Sequence, residues 1–337
     1  MKRIRLTMSC VVWCAVLVVA GALDAQAASG SVEKATLKLA HVYPPGHVWD
    51  VGSKMAADLV KKNTGGNIQI DVFPASQLGT EEQITEGVIF GSTDIAVSGA
   101  GQIGNLFKPI YILEMPYLFK DMDHVMRFAK SPIARQMFGD LEKEFNIKIV
   151  GTSSFGVRHL ASVKKPVKTP EDLAGFKLRV PQQQVTMAYG KAMGANPTPI
   201  AYAEAYMALQ QGLVDGLENP LSAIKSMKFH EVTKHINLTG HVINLTFFIM
   251  NGPKFNTLTK KNQDAILDAF DKASEHIIVL LKEDDKNLVG FFEKEAKVSV
   301  NQVDVEAFKK KTSGMPVQFR SWWIRYGEDL FQKIQGM

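Results

Sequence analysis

The chain contains two cysteines, Cys10 and Cys14, and both fall inside an apolar N-terminal stretch. Once that stretch is removed, no residue remains that could form a disulfide or act as a thiol nucleophile. After Leu23 no second run approaches the roughly 18 apolar residues that a membrane span needs, and no stretch interleaves Lys/Arg with aromatics as a nucleic-acid surface does. The eight histidines include no His-Glu-x-x-His, and His230, His235 and His241 lack the i, i+4 or i, i+2 spacing that brings two imidazoles to one ion. No Gly-x-Ser-x-Gly elbow occurs, and no internal repeat stands out. No catalytic residue, metal ion, cofactor or nucleic-acid partner is therefore expected.

What is present begins with an address. Met1-Lys2-Arg3-Ile4-Arg5 is basic, Met8 to Leu23 is almost wholly apolar, and Ala25-Gln26-Ala27 carries small residues where a signal peptidase would cut. This order predicts a secretory signal peptide over 1–28 and a periplasmic mature protein. Removing Lys2, Arg3, Arg5 and Asp24 takes away three positive charges and one negative, so the formal charge falls from +5 to +3. The remaining chain, about 310 residues, exceeds the size at which single cores stop growing and should form two lobes.

Strands and helices alternate along it. Thr36 to His41, Ile68 to Phe73 and Thr93 to Ser98 read as strands, with helices predicted over 48–62 and from Thr80 to about Gly91. Thr80-Glu81-Glu82-Gln83 has capping-box spacing. The pattern restarts after Ile147-Lys148-Ile149-Val150-Gly151, and Thr169-Pro170-Glu171-Asp172 has the cap, N1 proline and acidic first turn of a helix start. A strand over 176–180, helices over 183–193 and 203–211, and a buried crossing strand over 242–250 follow. Helical spacing covers 260–292, and a last helix is predicted over 319–334. Such alternation implies parallel βαβ units, hence an α/β fold.

Two features point toward a ligand. Gly99-Ala100-Gly101-Gln102-Ile103-Gly104 fits the dinucleotide fingerprint, yet Pro109 interrupts the helix that must follow, so the glycines are read as backbone running close to a cleft. The second is Arg179, which ends the run Phe176-Lys177-Leu178-Arg179-Val180-Pro181. Ligands of open α/β sheets sit beyond the carboxyl ends of strands, and a guanidinium there can hold a carboxylate bidentately. His41, Arg158 with His159, and Asn219 also stand at the ends of apolar runs.

Ser76-Gln77-Leu78-Gly79, Lys177-Leu178-Arg179-Val180-Pro181 and Val214-Asp215-Gly216-Leu217-Glu218-Asn219-Pro220, in that order and spacing, resemble the solute-binding proteins of tripartite ATP-independent periplasmic (TRAP) transporters, the DctP type. Gly194-Ala195-Asn196-Pro197-Thr198-Pro199 and Leu209-Gln210-Gln211-Gly212 fit as well. The resemblance implies a two-lobed, type II-like periplasmic binding protein with crossing interlobe strands and a long connecting helix. Lobe I would comprise 29–155 plus 246–285, and lobe II 156–245 plus 286–337. The lobes would close over a small organic carboxylate, a C4-dicarboxylate or a related keto, sugar or aromatic acid, for delivery by a monomer to the membrane permease. Arg179 then matches the carboxylate clamp, Arg158 a second basic contact, Asn219 an amide reaching the ligand and Tyr202 a ring beside it. His41 and Gln77 map near the cleft in the first lobe, and Phe247 or Phe248 would help to exclude water. Gly99 stands where some members place a carboxylate for sugar hydroxyls, which implies a ligand unlike sialic acid.

Two other classes stay open on the residues alone. A secreted enzyme with an arginine-anchored acid would need a general base, for which His41, His47 and His159 are the candidates. A ligand-sensing domain would need a signalling segment.

Overall fold

Alternation sets the first strand: Leu37 and Leu39 are buried while Thr36 and Lys38 are exposed, so Ala35–Ala40 (β1) lies with one face on the core. In the computed structural model, residues 32–337 are described, and the segment read as a signal peptide lies outside them. Next come Ile68–Phe73 (β2), Ile95–Gly99 (β3), Ile147–Ser162 (β4), Lys177–Val180 (β5), Asn196–Pro199 (β6), Gly216–Pro220 (β7), His235–Asn251 (β8) and Ser299–Asn301 (β9). They form one mixed sheet in the order β2-β1-β3-β8-β4-β7-β5-β6, with β9 beside β8.

Pairing direction divides that sheet. β1 pairs in parallel with β2 and β3, and β5 pairs in parallel with β6 and β7. Between these parallel wings run β4 and β8, 16 and 17 residues long and antiparallel from Ile147↔Asn251 to Ser162↔His235. At about 3.3 Å per residue each strand spans roughly 50 Å, enough to belong to both wings. Their register shifts between Ser154 and Gly156, and Gly156 has φ 106, a conformation that favours glycine. The helix Lys260–Lys294, 35 residues and also about 50 Å long, packs on β4, on the first helix Val48–Asn63 and on the short helix Leu221–Ser226.

The local signals act largely as expected. Thr80 and Gln83 complete a capping box for the helix Glu81–Phe90. Asp172 accepts from Lys168 N–H at 2.8 Å and Thr169 N–H at 3.0 Å, although the element it starts is only the 3-10 turn Pro170–Leu173. The predicted helix over 319–334 is broken into two 3-10 turns and the helix Leu330–Gln335. Trp323 is drawn into the core and Gly327 has φ 123, so a continuous helix cannot form. This C-terminal segment packs on residues 107–140: the Trp322 ring lies 4.9 Å from Tyr111, Tyr326 Oη donates to Asp140 at 2.7 Å, and His124 Nε2 bonds the Ile334 carbonyl at 2.7 Å. Among the described residues, no helix is long and apolar enough to cross a membrane.

Candidate functional site

A cavity of about 950 Å³, counted with its open mouth, lies where the wings meet. β1, β5, β6 and β7 all end at it. Tyr43 follows β1, Arg179 sits at the end of β5, Ile200 and Tyr202 follow β6, and Asn219 is the penultimate residue of β7. The crossing strands add Phe155 and Arg158 from β4 and Asn244 and Thr246 from β8. Tyr43, Phe155 and Tyr202 make an aromatic group on the wall, with Tyr43 5.4 Å from Phe155 and 5.8 Å from Tyr202.

Arg179 is 1% exposed, and its Nε and Nη2 both donate to the Ile200 carbonyl, at 3.0 and 2.6 Å. Its Nη1 is buried without a partner, and among the described residues it has no carboxylate ion-pair partner. Burial pulls its pKa down to about 10. A buried guanidinium without a counter-ion is costly, so the site is poised for an anion.

Arg158 is differently placed. Its Nε contacts Glu218 Oε2, and its Nη2 donates to Glu218 Oε1 at 2.7 Å and to the Glu218 carbonyl at 3.0 Å. Burial pushes Glu218 up, but Arg158 outweighs this and brings it down to about 2. The two charges cancel. Arg158 therefore offers the cavity at most donor groups, while Arg179 offers net charge. Nη2 of Arg158 also lies 3.4 Å from Asn219 Oδ1, which turns the Asn219 amide NH₂, itself unpartnered, toward other acceptors.

His41, Gln77, Phe247 and Phe248, singled out from sequence, lie off the cavity wall. His41 is 1% exposed one layer behind it, 3.6 Å from Asp50 and stacked on Tyr43 at 5.8 Å. Gln77 is exposed, and Ser76 takes its place on the wall because Ala75 and Ser76 turn through consecutive positive φ values of 53° and 60°. Phe247 is fully buried against Phe138 at 5.3 Å, since strand alternation puts Thr246 on the cavity side and Phe247 on the other. Phe248 packs on Trp49 and Phe270.

The wall also holds acids that sequence reading passed over. Glu81 Oε1 accepts from the Gly99 N–H at 2.7 Å, so a carboxylate from the neighbouring helix occupies the space that the missing side chain at 99 leaves. Burial raises its pKa. Glu114, 2% exposed, accepts from the Gly101 N–H and the Asn244 amide, each at 3.0 Å, and burial pushes it up to about 7. Glu81 was hidden inside a capping box. Glu114 had a readable sign, one acid within the apolar run Ile112-Leu113-Glu114-Met115, and Glu218 had the same sign in β7. Gly101 does open close to the cleft: the helix Ala100–Leu106 follows β3 directly, and a Cβ at 101 would lie 1.9 Å from Gln183 Oε1.

Residues 39–318 match the model of the bacterial extracellular solute-binding proteins, family 7 (DctP). The chain belongs to this family, the substrate-binding components of TRAP transporters. It is 32% identical over 311 residues to the sialic acid-binding periplasmic protein SiaP of Vibrio cholerae, covering 92% of this chain and 95% of SiaP. A TRAP periplasmic solute-binding protein from Polaromonas sp. JS666 bound to D-erythronate superposes with a TM-score of 0.85 at 29% identity, over 90% of this chain and 99% of that one. Another, from Ochrobacterium anthropi with bound L-fuconate, gives 0.83 at 30% identity, over 90% and 99%. The two-lobed α/β architecture is thus that of the family.

Proposed function

We propose that this protein captures a small hydroxylated monocarboxylate, a sugar acid, in the periplasm and delivers it to a TRAP membrane permease. The buried Arg179 guanidinium, with Nη1 unpartnered on the cavity wall, carries this reading. Charge-assisted hydrogen bonds contribute roughly 1.5 to 3 kcal/mol each, so a carboxylate at Arg179 would supply a good part of the about 8 kcal/mol that micromolar binding needs. Asn219, the donors of Arg158 and the Glu81 carboxylate suit hydroxyls. A dicarboxylate would bring a second charge to a wall whose other guanidinium is already neutralised by Glu218. Relatives that carry D-erythronate and L-fuconate support the same ligand class. The two wings, joined by β4 and β8 and offset at Gly156, suit lobes that close on the ligand, with Tyr43, Phe155 and Tyr202 keeping water out. Export by the segment 1–28 would place the protein where a permease can be met.

Thermal-shift screening of aldonates, uronates and C4-dicarboxylates tests this. Sugar acids are expected to raise the melting temperature, dicarboxylates to do so weakly, and Arg179→Ala to abolish the shift. If no acid shifts the wild type, or if Arg179→Ala keeps the full shift, the assignment fails.

A further inference from the structure

Glu114 has no role in the reading above beyond forming part of the wall, yet its setting is unusual. It ends the 3-10 segment Lys108–Glu114, between the first wing and β8, and its side chain reaches the cavity. Both donors that reach it, Gly101 N–H and the Asn244 amide, go to Oε1; among the described residues Oε2 accepts no hydrogen bond. One oxygen is thus anchored by the protein and the other is left for the cavity.

We propose that Glu114 is a ligand-facing acid that takes up a proton as the sugar acid binds, so that the protein captures its anion together with one proton. The proposal rests on the sugar-acid reading of the same cavity and adds the protonation state of one wall residue to it.

The charges around Glu114 explain why it can change state there. On β4, Arg158 is the cation that favours the ionised form, but Glu218 on β7 holds that guanidinium in a bidentate pair and itself repels Glu114. On β8, His241 is 3.4 Å from Glu218, and burial lowers its pKa, so it adds no positive charge at neutral pH. Tyr189, Tyr111 and Tyr43 nearby have raised pKa values, burial being the main cause, and stay neutral. Farther along the wall, Arg179 is reserved for the ligand carboxylate, and Glu81, whose pKa burial also raises, adds no positive charge. Glu114 is therefore poised near neutrality in the open cavity, at about 7, with burial as the dominant cause.

A bound acid changes two things at once. It displaces water from Oε2, which disfavours the carboxylate further, and it brings another negative charge into the cavity. A proton from solvent settles on Oε2, the free oxygen, and the resulting O–H donates to an acceptor oxygen of the ligand while Oε1 keeps its two protein bonds. No other reactant is needed. The ligand class narrows accordingly to acids with a hydroxyl, ring or keto oxygen at the end remote from the carboxylate.

The test is calorimetric titration of the full mature protein with D-glucuronate and L-galactonate, each in two buffers of different ionisation enthalpy, between pH 5.5 and 9. Close to one proton taken up per ligand is expected at pH 8 and close to none at pH 5.5, where Glu114 is already protonated in the empty protein. Affinity should weaken by up to tenfold per pH unit above pH 7. Glu114→Gln, which keeps an acceptor for Gly101 and Asn244, should bind with a flat pH profile and no proton uptake. Binding with no uptake at pH 8, or equal uptake by Glu114→Gln, overturns the proposal while leaving the sugar-acid reading intact. No binding of either acid at any pH overturns both.

Discussion

Arg158 and Arg179 are the same residue type on the same cavity, and their partners give them opposite uses. Glu218 gains stability from its pair: its pKa is depressed to about 2, so the stabilisation is whole above the ordinary carboxylate range and is lost as pH falls toward 2. Glu218→Gln would leave Arg158 buried and uncompensated, and a loss of about 3–5 kcal/mol is expected in denaturant unfolding at pH 7. Below pH 4 the difference from wild type should shrink. Arg179 is the reverse case, a buried charge whose Nη1 has no protein partner and which, on the proposed function, awaits the ligand carboxylate. Arg179→Met should therefore leave the ligand-free melting temperature unchanged or higher while eliminating sugar-acid binding. Glu114 carries a raised pKa, so its contribution is most favourable below the unfolded value and is lost as pH rises toward 7. Glu114→Gln should match wild type in stability at pH 4 and exceed it at pH 8 by up to ~3 kcal/mol.

Elements decide which side of a strand faces the cavity. On β8, Asn244 and Thr246 reach the cavity and Phe247 does not, because successive side chains alternate. Phe247 is packed on Phe138 in a closed core. Phe247→Ala is expected to cost about 3–5 kcal/mol of stability and to change sugar-acid affinity less than threefold, measured well below the melting temperature. The elements themselves were legible from sequence where the signal is local. The Thr80–Gln83 box, the alternation of β1 and the apolar 242–250 run each depend on neighbours only a few positions apart. The helix predicted over 319–334 failed because its aromatics answer to distant residues, Tyr111 and Asp140 among them, and not to helical spacing.

Across the whole molecule, the segment after β3 clasps the start of the helix Gln184–Ala192 over the cavity. Asn105 Nδ2 donates to the Gln182 carbonyl at 3.1 Å, and Lys108 Nζ to Gln184 Oε1 at 2.5 Å. Gly101 allows the clasp, since any side chain there would meet Gln183. These contacts tie residues of the first wing to residues of the second without touching the Arg179 anchor. The double variant Asn105→Ala/Lys108→Ala should release sugar acid several-fold faster, with little change in the association rate or in the ranking of ligands, in stopped-flow fluorescence of the cavity tyrosines.

The sequence by itself determined most of the periodic strands and helices and the ordered motifs that place Arg179 at a strand end. Those properties depend on residue type and short spacing, which a linear chain displays in full. Only the tertiary structure decided that Arg158 is spent on Glu218, that Glu81 fills the space beside Gly99, and that Glu114 stands half-anchored in the wall. Each joins residues between 13 and 60 positions apart, and the charge a buried group keeps depends on which partner the fold brings beside it.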